Sequence, residues 1–321
     1  MNKTLSAHLS LLGANVIFGL NYILSKDVVA GYFSPLAFTL LRVTGAVILF
    51  WVLGFFMPKE KIDRSDIPRL IIASFMGVSL NQLIFLTALK FGSAIDASIL
   101  MTLNPVMVLL IAAIWTHENI TSSKIWGIVI GASGALLLII MGGKSAIGFG
   151  NFWGNILMLL NCLLWALFLV IAKPLMVKYK SVTVMKWEFL VGLFIILPFS
   201  FDKVFAIKWD IIPGYIIWEF FYVVIFATFL GYLLNMYGLK YVKPVSVSVY
   251  IYAQPVFAAF FAIILGKDAL SMIDIIAAFL VFLGVYIVGK QGKGLLPDFK
   301  AITFKNKVAQ HIGKTHSLGK N

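Results

Sequence analysis

The chain has 321 residues, of which 61% are hydrophobic and 12% are charged, whereas soluble domains are about 45–50% apolar and about 25% charged. This composition excludes a water-soluble globule, a disordered tail and a collagen, and a single cysteine, Cys162, excludes a disulfide-stapled secreted module. The net charge of +13 does not indicate nucleic-acid binding, because most of the excess lysine and arginine lies between or after long apolar runs.

Ten apolar segments are long enough to cross a bilayer, since about 20 apolar residues span its hydrocarbon core as a helix. They predict an all-α membrane protein with ten transmembrane helices, at residues 5–25, 34–56, 68–89, 94–115, 121–141, 151–172, 183–201, 212–238, 244–265 and 270–289. The first segment follows a lysine, as a signal peptide does. Because Asn15 and Asn21 interrupt it and no Ala-x-Ala-like site follows, we expect it to be retained.

Lysine and arginine are distributed unevenly between the two sets of alternating loops. Nineteen lie on the side of the N-terminus and of a basic tail that follows the last segment (291–321), six lie in the other loops, and Arg42 alone lies well inside a segment rather than at its end. The positive-inside rule therefore predicts that both termini are cytoplasmic, in a multi-pass protein of the inner (plasma) membrane.

The sequence also contains an internal repeat at half its length. A shift of 147 residues aligns Phe18 with Trp165 and Lys26 with Lys173, and a shift of 150 aligns Leu89-Lys90 with Leu239-Lys240 and Asn104-Pro105 with Gln254-Pro255. Five spans per half is an odd number, so the second copy must be inverted relative to the first, as in many secondary transporters. We predict repeats at 5–141 and 151–290.

Both copies resemble a known family at the level of motifs. The stretches NQLIFLTALKFGSAIDASILMTLNPVMVLLIAAIWTHE and NMYGLKYVKPVSVSVYIYAQPVFAAFFAIILGKD are similar to the EamA-type repeat of the drug/metabolite transporter (DMT) superfamily. Arg42 resembles the arginine of the family's second helix, whereas Phe18 stands where a Trp is usual and Asp268 where a second Glu is usual. The resemblance covers about residues 5–290. It implies a transporter that exports or exchanges small metabolites, including amino acids.

Two prolines lie near the predicted bilayer centre, at corresponding positions of the two copies. Pro105 and Pro255 are each the twelfth residue of a 22-residue segment, and each frees the carbonyl four residues earlier. Kinks at this depth persist only when they are buried in protein or face a wet cavity. A packing kink is one explanation, but the repetition favours a gating element.

Polar and aromatic side chains recur at helical spacing within the segments, where amides are costly unless they bond across helices or meet water. They are the candidate substrate-binding residues, although an aromatic stripe can also be ordinary core. The set comprises Asn21, Asn81, Phe85, Asn104, Asn161, Trp165, Phe168, Tyr232, Asn235, Tyr250 and Gln254. Amides and aromatic faces suit a neutral or zwitterionic solute.

Intramembrane charges are costly and therefore indicate function or pairing. Arg42 lies within the second segment and requires a carboxylate, carbonyl groups or an anionic substrate. Arg42, Glu219 and Asp96 are the candidates for ion coupling, with an interfacial position as the alternative for Glu219. Asp96 and Glu188 lie near helix ends, where we expect their carboxylates to reach the headgroups.

These features predict a secondary transporter that moves a small metabolite, amino acids first, by alternating access. Helices one, three, four, six, eight and nine would line the path. The expected partners are the small-molecule substrate, membrane lipids and a proton or counter-solute. We expect no cofactor, metal, nucleic acid or enzymatic activity, and the chain carries no ATPase motif. The alternatives are a sugar-phosphate or nucleotide-sugar exchanger and a membrane scaffold or receptor.

Overall fold

A computed structural model of the chain describes residues 3–91, 97, 100–115, 121–141, 152–264 and 272–289, and all regular secondary structure in them is helical. The helices are α1 (Lys3–Gly31), α2 (Pro35–Phe55), α3 (Arg64–Phe91), α4 (Asn104–Trp115), α5 (Ser122–Met141), α6 (Phe152–Lys178), α7 (Ser181–Phe205), α8 (Gly214–Tyr241), α9 (Pro244–Val249, the 3-10 turn Tyr250–Tyr252 and Ala253–Ile264) and α10 (Met272–Gly289). The predicted all-helical fold is confirmed for this part of the chain.

Six of these helices, α1, α2, α3, α6, α7 and α8, are long and apolar enough to cross a membrane. Two shorter apolar helices are α4 and the stretch Ala278–Val288 within α10. Large apolar side chains cover the outer surface, and Trp218 and Phe194 are 78% and 66% exposed. An apolar surface of this extent suits lipid rather than water.

Local sequence explains where several helices begin. The side chain of Ser34 accepts a hydrogen bond from the backbone N–H of Ala37, and Pro35 occupies the first turn of α2. Pro244 likewise lies in the first turn of α9. A serine cap satisfies one of the free amides at a helix start, and a proline there has no amide to satisfy.

Two helices contain π-helical segments, which the sequence analysis did not anticipate. They are Phe75–Ser79 in α3 and Val223–Gly231 in α8. A shift of 150 residues places the first segment within the second. In α8 the wider turn is bridged by the Thr228 hydroxyl, which donates to the carbonyl of Val223 at 2.7 Å. Such segments are often found at functional sites.

A lysine from one helix caps the end of another in both halves of the chain. Lys26 of α1 donates to the carbonyl of Leu89 near the end of α3 at 2.6 Å. Lys173 of α6 donates to the carbonyl of Leu239 near the end of α8 at 2.7 Å. A cation is favourable at a helix C-terminus because it meets unsatisfied carbonyls and the negative end of the dipole. The pairs correspond in the aligned repeats, so the two halves share this local structure.

Helices α5 and α10 are in backbone contact through glycines. A Cβ atom built on Gly284 would lie 2.6 Å from the carbonyl oxygen of Gly127 and 2.6 Å from the backbone nitrogen of Gly131. Only glycine permits so close an approach.

An ionic cluster connects the start of α3 to the end of α6. The ammonium group of Lys178 lies 2.5 Å from a carboxylate oxygen of Asp63 and 2.7 Å from one of Asp66. The Tyr179 hydroxyl donates to Asp66 at 2.8 Å and accepts from the backbone N–H of Asp63 at 3.0 Å. The hydrogen bond from Lys178 lowers the pKa of Asp63 below its ordinary value.

The lowered pKa of Asp63 gives the cluster a defined pH dependence. The contribution of the Asp63–Lys178 pair to stability is fully present above the ordinary carboxyl pKa of about 3.9, and it is lost as the pH falls through the lowered pKa of Asp63. We expect Asp63→Asn to lower the melting temperature in detergent at pH 7, and to lower it by a smaller amount at pH 3. An equal difference at both pH values would contradict an ionic contribution.

Candidate functional site

A cavity lies between the helices of the two halves. Its walls come from α1, α2, α3, α6, α8 and α9 and from a residue just before α4. The lining side chains are Phe18, Asn21, Tyr22, Arg42, Asn81, Gln82, Phe85, Met101, Asn161, Trp165, Tyr232, Asn235, Ile251 and Gln254.

Many lining residues occupy corresponding positions in the aligned repeats. The pairs are Phe18 with Trp165, Gln82 with Tyr232, Phe85 with Asn235, and Met101 with Ile251. The cavity therefore lies where equivalent parts of the two halves meet.

One wall of the cavity is aromatic. The ring of Trp165 meets those of Tyr232 and Phe18 edge to face, with centroids 5.5 Å and 6.5 Å away. Phe18 and Tyr232 lie 6.2 Å apart at 88°. Two other lining rings, those of Tyr22 and Phe85, pack at 5.4 Å. Edge-to-face rings hold one another in place and leave π faces for a ligand.

Amide side chains hold the polar wall together. The amide nitrogen of Asn81 donates to the carbonyl of Asn161 at 3.2 Å, and that of Asn161 donates to the carbonyl of Asn81 at 2.8 Å. Gln254 donates to the side-chain oxygen of Asn15 at 2.7 Å. These bonds join α3 to α6 and α1 to α9 across the boundary between the halves.

Other polar atoms of the lining are buried and lack a hydrogen-bond partner in the described part of the chain. They are the amide oxygens of Gln82 and Asn235 and one terminal nitrogen of Arg42. Buried polar groups are nearly always bonded, so atoms of this kind around a cavity indicate where water or a ligand binds.

Arg42 is held on one side and free on the other. Its Nε donates to the Thr228 hydroxyl at 2.9 Å, and its Cζ lies 5.9 Å from the centroid of the Phe38 ring. The residue is 3% exposed, and among the described residues no carboxylate forms a salt bridge with it. The π segment of α8 thus anchors the guanidinium of this lining residue, while one terminal nitrogen has no partner in the described part of the chain.

The sequence model of EamA-like transporters matches residues 5–140 and, a second time, residues 152–290. The chain belongs to the EamA-like transporter family.

Curated relatives and a solved structure agree with this membership. The chain is 28% identical to an uncharacterized transporter of Archaeoglobus fulgidus, over 80% of this chain and 89% of the relative. It is 24% identical to the uncharacterized transporter YyaM of Bacillus subtilis, over 88% and 93% of the two chains. It is also 24% identical to the uncharacterized inner membrane transporter YicL of Salmonella typhimurium, over 90% and 96%. A solved crystal structure with 17% identity shares the fold, with a TM-score of 0.68 over 89% of this chain and 96% of that one.

This EamA-like transporter is therefore a multi-pass membrane protein of the DMT type, and the relatives named above are uncharacterized transporters. Within the described ranges, no group of three or more His, Cys, Asp or Glu side chains could hold a metal ion.

Eight of the eleven predicted substrate-binding residues of the transporter line the cavity, and Arg42 lines it with them. Asn104, Phe168 and Tyr250 lie outside the lining. Asn104 donates to the carbonyl of Cys162 at 2.9 Å, and the Tyr250 hydroxyl is 2.7 Å from Nδ1 of His8. Phe168 is buried where a Cβ atom on Gly77 would meet its ring.

The predicted acids of the transporter lie in three different places. Glu219 is half-buried on α8 and does not line the cavity, and Asp96 lies outside the described residues. The expectation that Glu188 reaches the headgroups is wrong, because its side chain is 0% exposed. Neighbouring helices α2, α3 and α8 pack around α7, which the position of Glu188 near the helix start could not reveal.

Both candidate gating prolines of the transporter follow a short non-α turn. Residues 102–103 form a turn before Asn104 and Pro105, and the 3-10 turn Tyr250–Tyr252 precedes Gln254 and Pro255. Both prolines are buried but lie outside the cavity lining, which Met101 and Ile251 reach instead.

The predicted binding residues omitted five side chains of the lining, namely Phe18, Tyr22, Gln82, Met101 and Ile251. Gln82 could have been found, since the 150-residue shift aligns it with Tyr232. Tyr22 carries no comparable signal.

Proposed function

We propose that this EamA-like transporter is a secondary transporter that exports a small polar metabolite, an amino acid or a similar solute, across the inner membrane by alternating access. The cavity between the two halves is the observation that carries the proposal. It is enclosed largely by amides, aromatic rings and one cation, and several of its polar atoms have no partner in the described part of the chain.

The chemistry of the lining favours a zwitterion. The free nitrogen of Arg42 can donate to a carboxylate, and a charge-assisted bond of this kind is about twice as strong as a neutral one. The π faces of Trp165 and Tyr232 attract an ammonium group, and the oxygen of Asn235 can accept a hydrogen bond from it. A free amino acid offers both charged groups.

The same proposal includes ten membrane spans in two inverted repeats, with both termini cytoplasmic. The π segments of α3 and α8 support the duplication, as do the lysine caps of Lys26 and Lys173, since each pair falls on corresponding positions. The excess of lysine and arginine in one set of loops supports the orientation.

Alternating access requires hinges, and the turns before Pro105 and Pro255 are suited to this role. A proline removes one helical hydrogen bond and allows the helix to bend there. We expect Pro105→Ala and Pro255→Ala each to slow transport about tenfold or more while the protein remains folded in the membrane, because a tenfold change needs only about 1.4 kcal/mol in the barrier. Initial rates of uptake into vesicles provide the measurement. Wild-type rates in both variants would contradict a gating role.

A sugar-phosphate or nucleotide-sugar exchanger is less well supported. A phosphorylated solute carries about two negative charges and favours several cations in its site, whereas Arg42 is the single cation among the described lining residues. A scaffold gives no reason for unpaired polar atoms around a cavity, and a receptor would bind a solute there without moving it across the membrane.

Flux in proteoliposomes tests the proposal directly. The purified protein is reconstituted and supplied with a radiolabelled panel of amino acids, amines, organic acids, sugars and sugar phosphates. We expect saturable movement of one or more zwitterionic or neutral solutes. Transport of sugar phosphates alone would favour the exchanger, and no flux of any solute would favour the scaffold.

A further inference from the structure

Glu188 of α7 is a buried carboxyl group with no role in the cavity. It is the eighth residue of the helix, its side chain is 0% exposed, and neither carboxyl oxygen has a hydrogen-bond partner in the described part of the chain. An acid so placed requires an explanation, because isolated polar groups inside a membrane protein are costly and are often functional.

Nearby hydroxyl groups bond to the backbone of α7 rather than to this carboxyl. Ser74 of α3 donates to the main-chain carbonyl of Glu188 at 2.5 Å, and Ser79 donates to that of Gly192, one turn later, at 3.1 Å. These bonds fix the π segment of α3 against α7. They leave the side chain of Glu188 without a donor.

No described cation neutralises the group either. Arg42 of α2 is bonded to Thr228, and Lys186 lies over the Trp51 ring with its ammonium 5.0 Å from the centroid. On α3, Arg69 is the basic residue closest in sequence to Ser74, and it is exposed. On α6 the basic residues Lys173 and Lys178 lie near the end of the helix and have partners of their own.

Tyr232 of α8 is a titratable group close enough to Glu188 to interact with it electrostatically. It also lines the cavity, and its hydroxyl donates to the carbonyl of Gly77 in the α3 π segment at 3.0 Å. Phe189, which follows Glu188 in the chain, packs against the Tyr232 ring at 5.3 Å. A solute that displaces this ring therefore changes the surroundings of Glu188.

An ionised carboxylate without partners would be far more costly here than a neutral one. In this conformation Glu188 consequently holds a proton. A conformational change that opened the seam between α7, α3 and α8 to water would let the proton leave.

We propose that Glu188 is the proton-binding site through which this protein, if it is the secondary transporter proposed above, exchanges protons for its solute. When the group opens to the cytoplasm, the carboxyl O–H bond breaks and the proton passes to water. When it opens to the other side, the carboxylate takes a proton from hydronium. The solute occupies the cavity in the steps in which Glu188 is ionised, and Tyr232 links the two sites.

Transport measured with and without a pH gradient tests the coupling. For one-for-one exchange, a gradient of one pH unit drives about tenfold accumulation of a neutral solute or zwitterion. We expect wild type and the surface variant Asp202→Asn to accumulate solute, and Glu188→Gln to reach only equal concentrations while still exchanging labelled for unlabelled solute. Loss of accumulation in Glu219→Gln instead of Glu188→Gln would overturn the assignment. The assignment would also be overturned if the solute flux of wild type were the same with and without the pH gradient.

Infrared spectroscopy tests the proton itself and needs no substrate. A protonated carboxyl group has a C=O stretch distinct from that of a carboxylate, so the difference spectrum between wild type and Glu188→Gln at pH 7 should contain one such band. Asp202→Asn should leave the band in place. Absence of the band would overturn the assignment of Glu188 as the proton site but leave the proposed transport function standing. If wild type shows the band but moves no solute, the proposed transport function is overturned, and the coupling with it.

Discussion

Arg42→Gln is expected to weaken binding of a carboxylate-bearing solute by about 100-fold, because a hydrogen bond to a charged group contributes about 1.5–3 kcal/mol and each 1.4 kcal/mol is a factor of ten. The free terminal nitrogen of Arg42 belongs to the one cation of the described cavity lining. Glutamine retains a donor but loses the charge. Titration calorimetry or a scintillation proximity assay with the solute found in the flux panel provides the measurement.

Two further variants separate charge from geometry. Arg42→Lys keeps the charge, but the lysine ammonium lacks the planar group that could bond Thr228 and the solute at once. We therefore expect the affinity for the solute to fall about tenfold. Thr228→Val removes the acceptor for Nε and should cost less than Arg42→Gln. The decarboxylated amine of the same solute is the matched control ligand. If Arg42→Gln weakens the amine and the parent solute equally, Arg42 does not bind the carboxylate.

The helical architecture was predictable because the bilayer fixes the length of an apolar segment. The helix boundaries were harder to predict. α6 continues to Lys178 and α7 begins at Ser181, beyond the predicted limits of 172 and 183. The additional end of α6 includes Lys178, which pairs with Asp63 and Asp66. Polar residues of this kind cannot be found by searching the sequence for apolar segments. The π segments were unpredictable for another reason, since hydrogen bonds to neighbouring helices, rather than a residue pattern, stabilise them.

Most of the cavity lining could be anticipated because polar side chains in a lipid-spanning segment are costly unless they find a partner or a cavity. Asn81 and Asn161 illustrate both outcomes, since they line the cavity and also bond to each other's backbone. Tyr250 illustrates the limit. Its hydroxyl meets His8, 242 residues away in the chain, and helical spacing within one segment contains no information about such a contact.

Glu188 marks the point where sequence reasoning failed for a physical reason. A carboxylate near the start of a helix ordinarily reaches water. Glu188 does not, because neighbouring helices cover it, and Ser74 and Ser79 of α3 bond directly to the backbone of α7 around it. Burial at this position is a property of tertiary packing.

Gly284→Ala is expected to destabilise the folded protein by about 1–3 kcal/mol, the usual penalty for overpacking, and to lower its melting temperature in detergent by several degrees. The added methyl group would lie 2.6 Å from the Gly127 carbonyl oxygen and 2.7 Å from the Gly131 Cα. These are backbone atoms, so relief requires α5 and α10 to move apart. A flexible side chain could have rotated away at little cost.

Gly31→Ala is the matched control for this prediction. The residue ends α1, and a Cβ atom there meets nothing within 4 Å. Alanine also has less conformational freedom than glycine in the unfolded chain, so the melting temperature should stay the same or rise slightly. Fluorescence-detected thermal unfolding of the two purified variants compares them under one condition. Equal melting temperatures would show that α5 and α10 separate without loss, and the close contact through Gly127 and Gly284 would then contribute little to the fold.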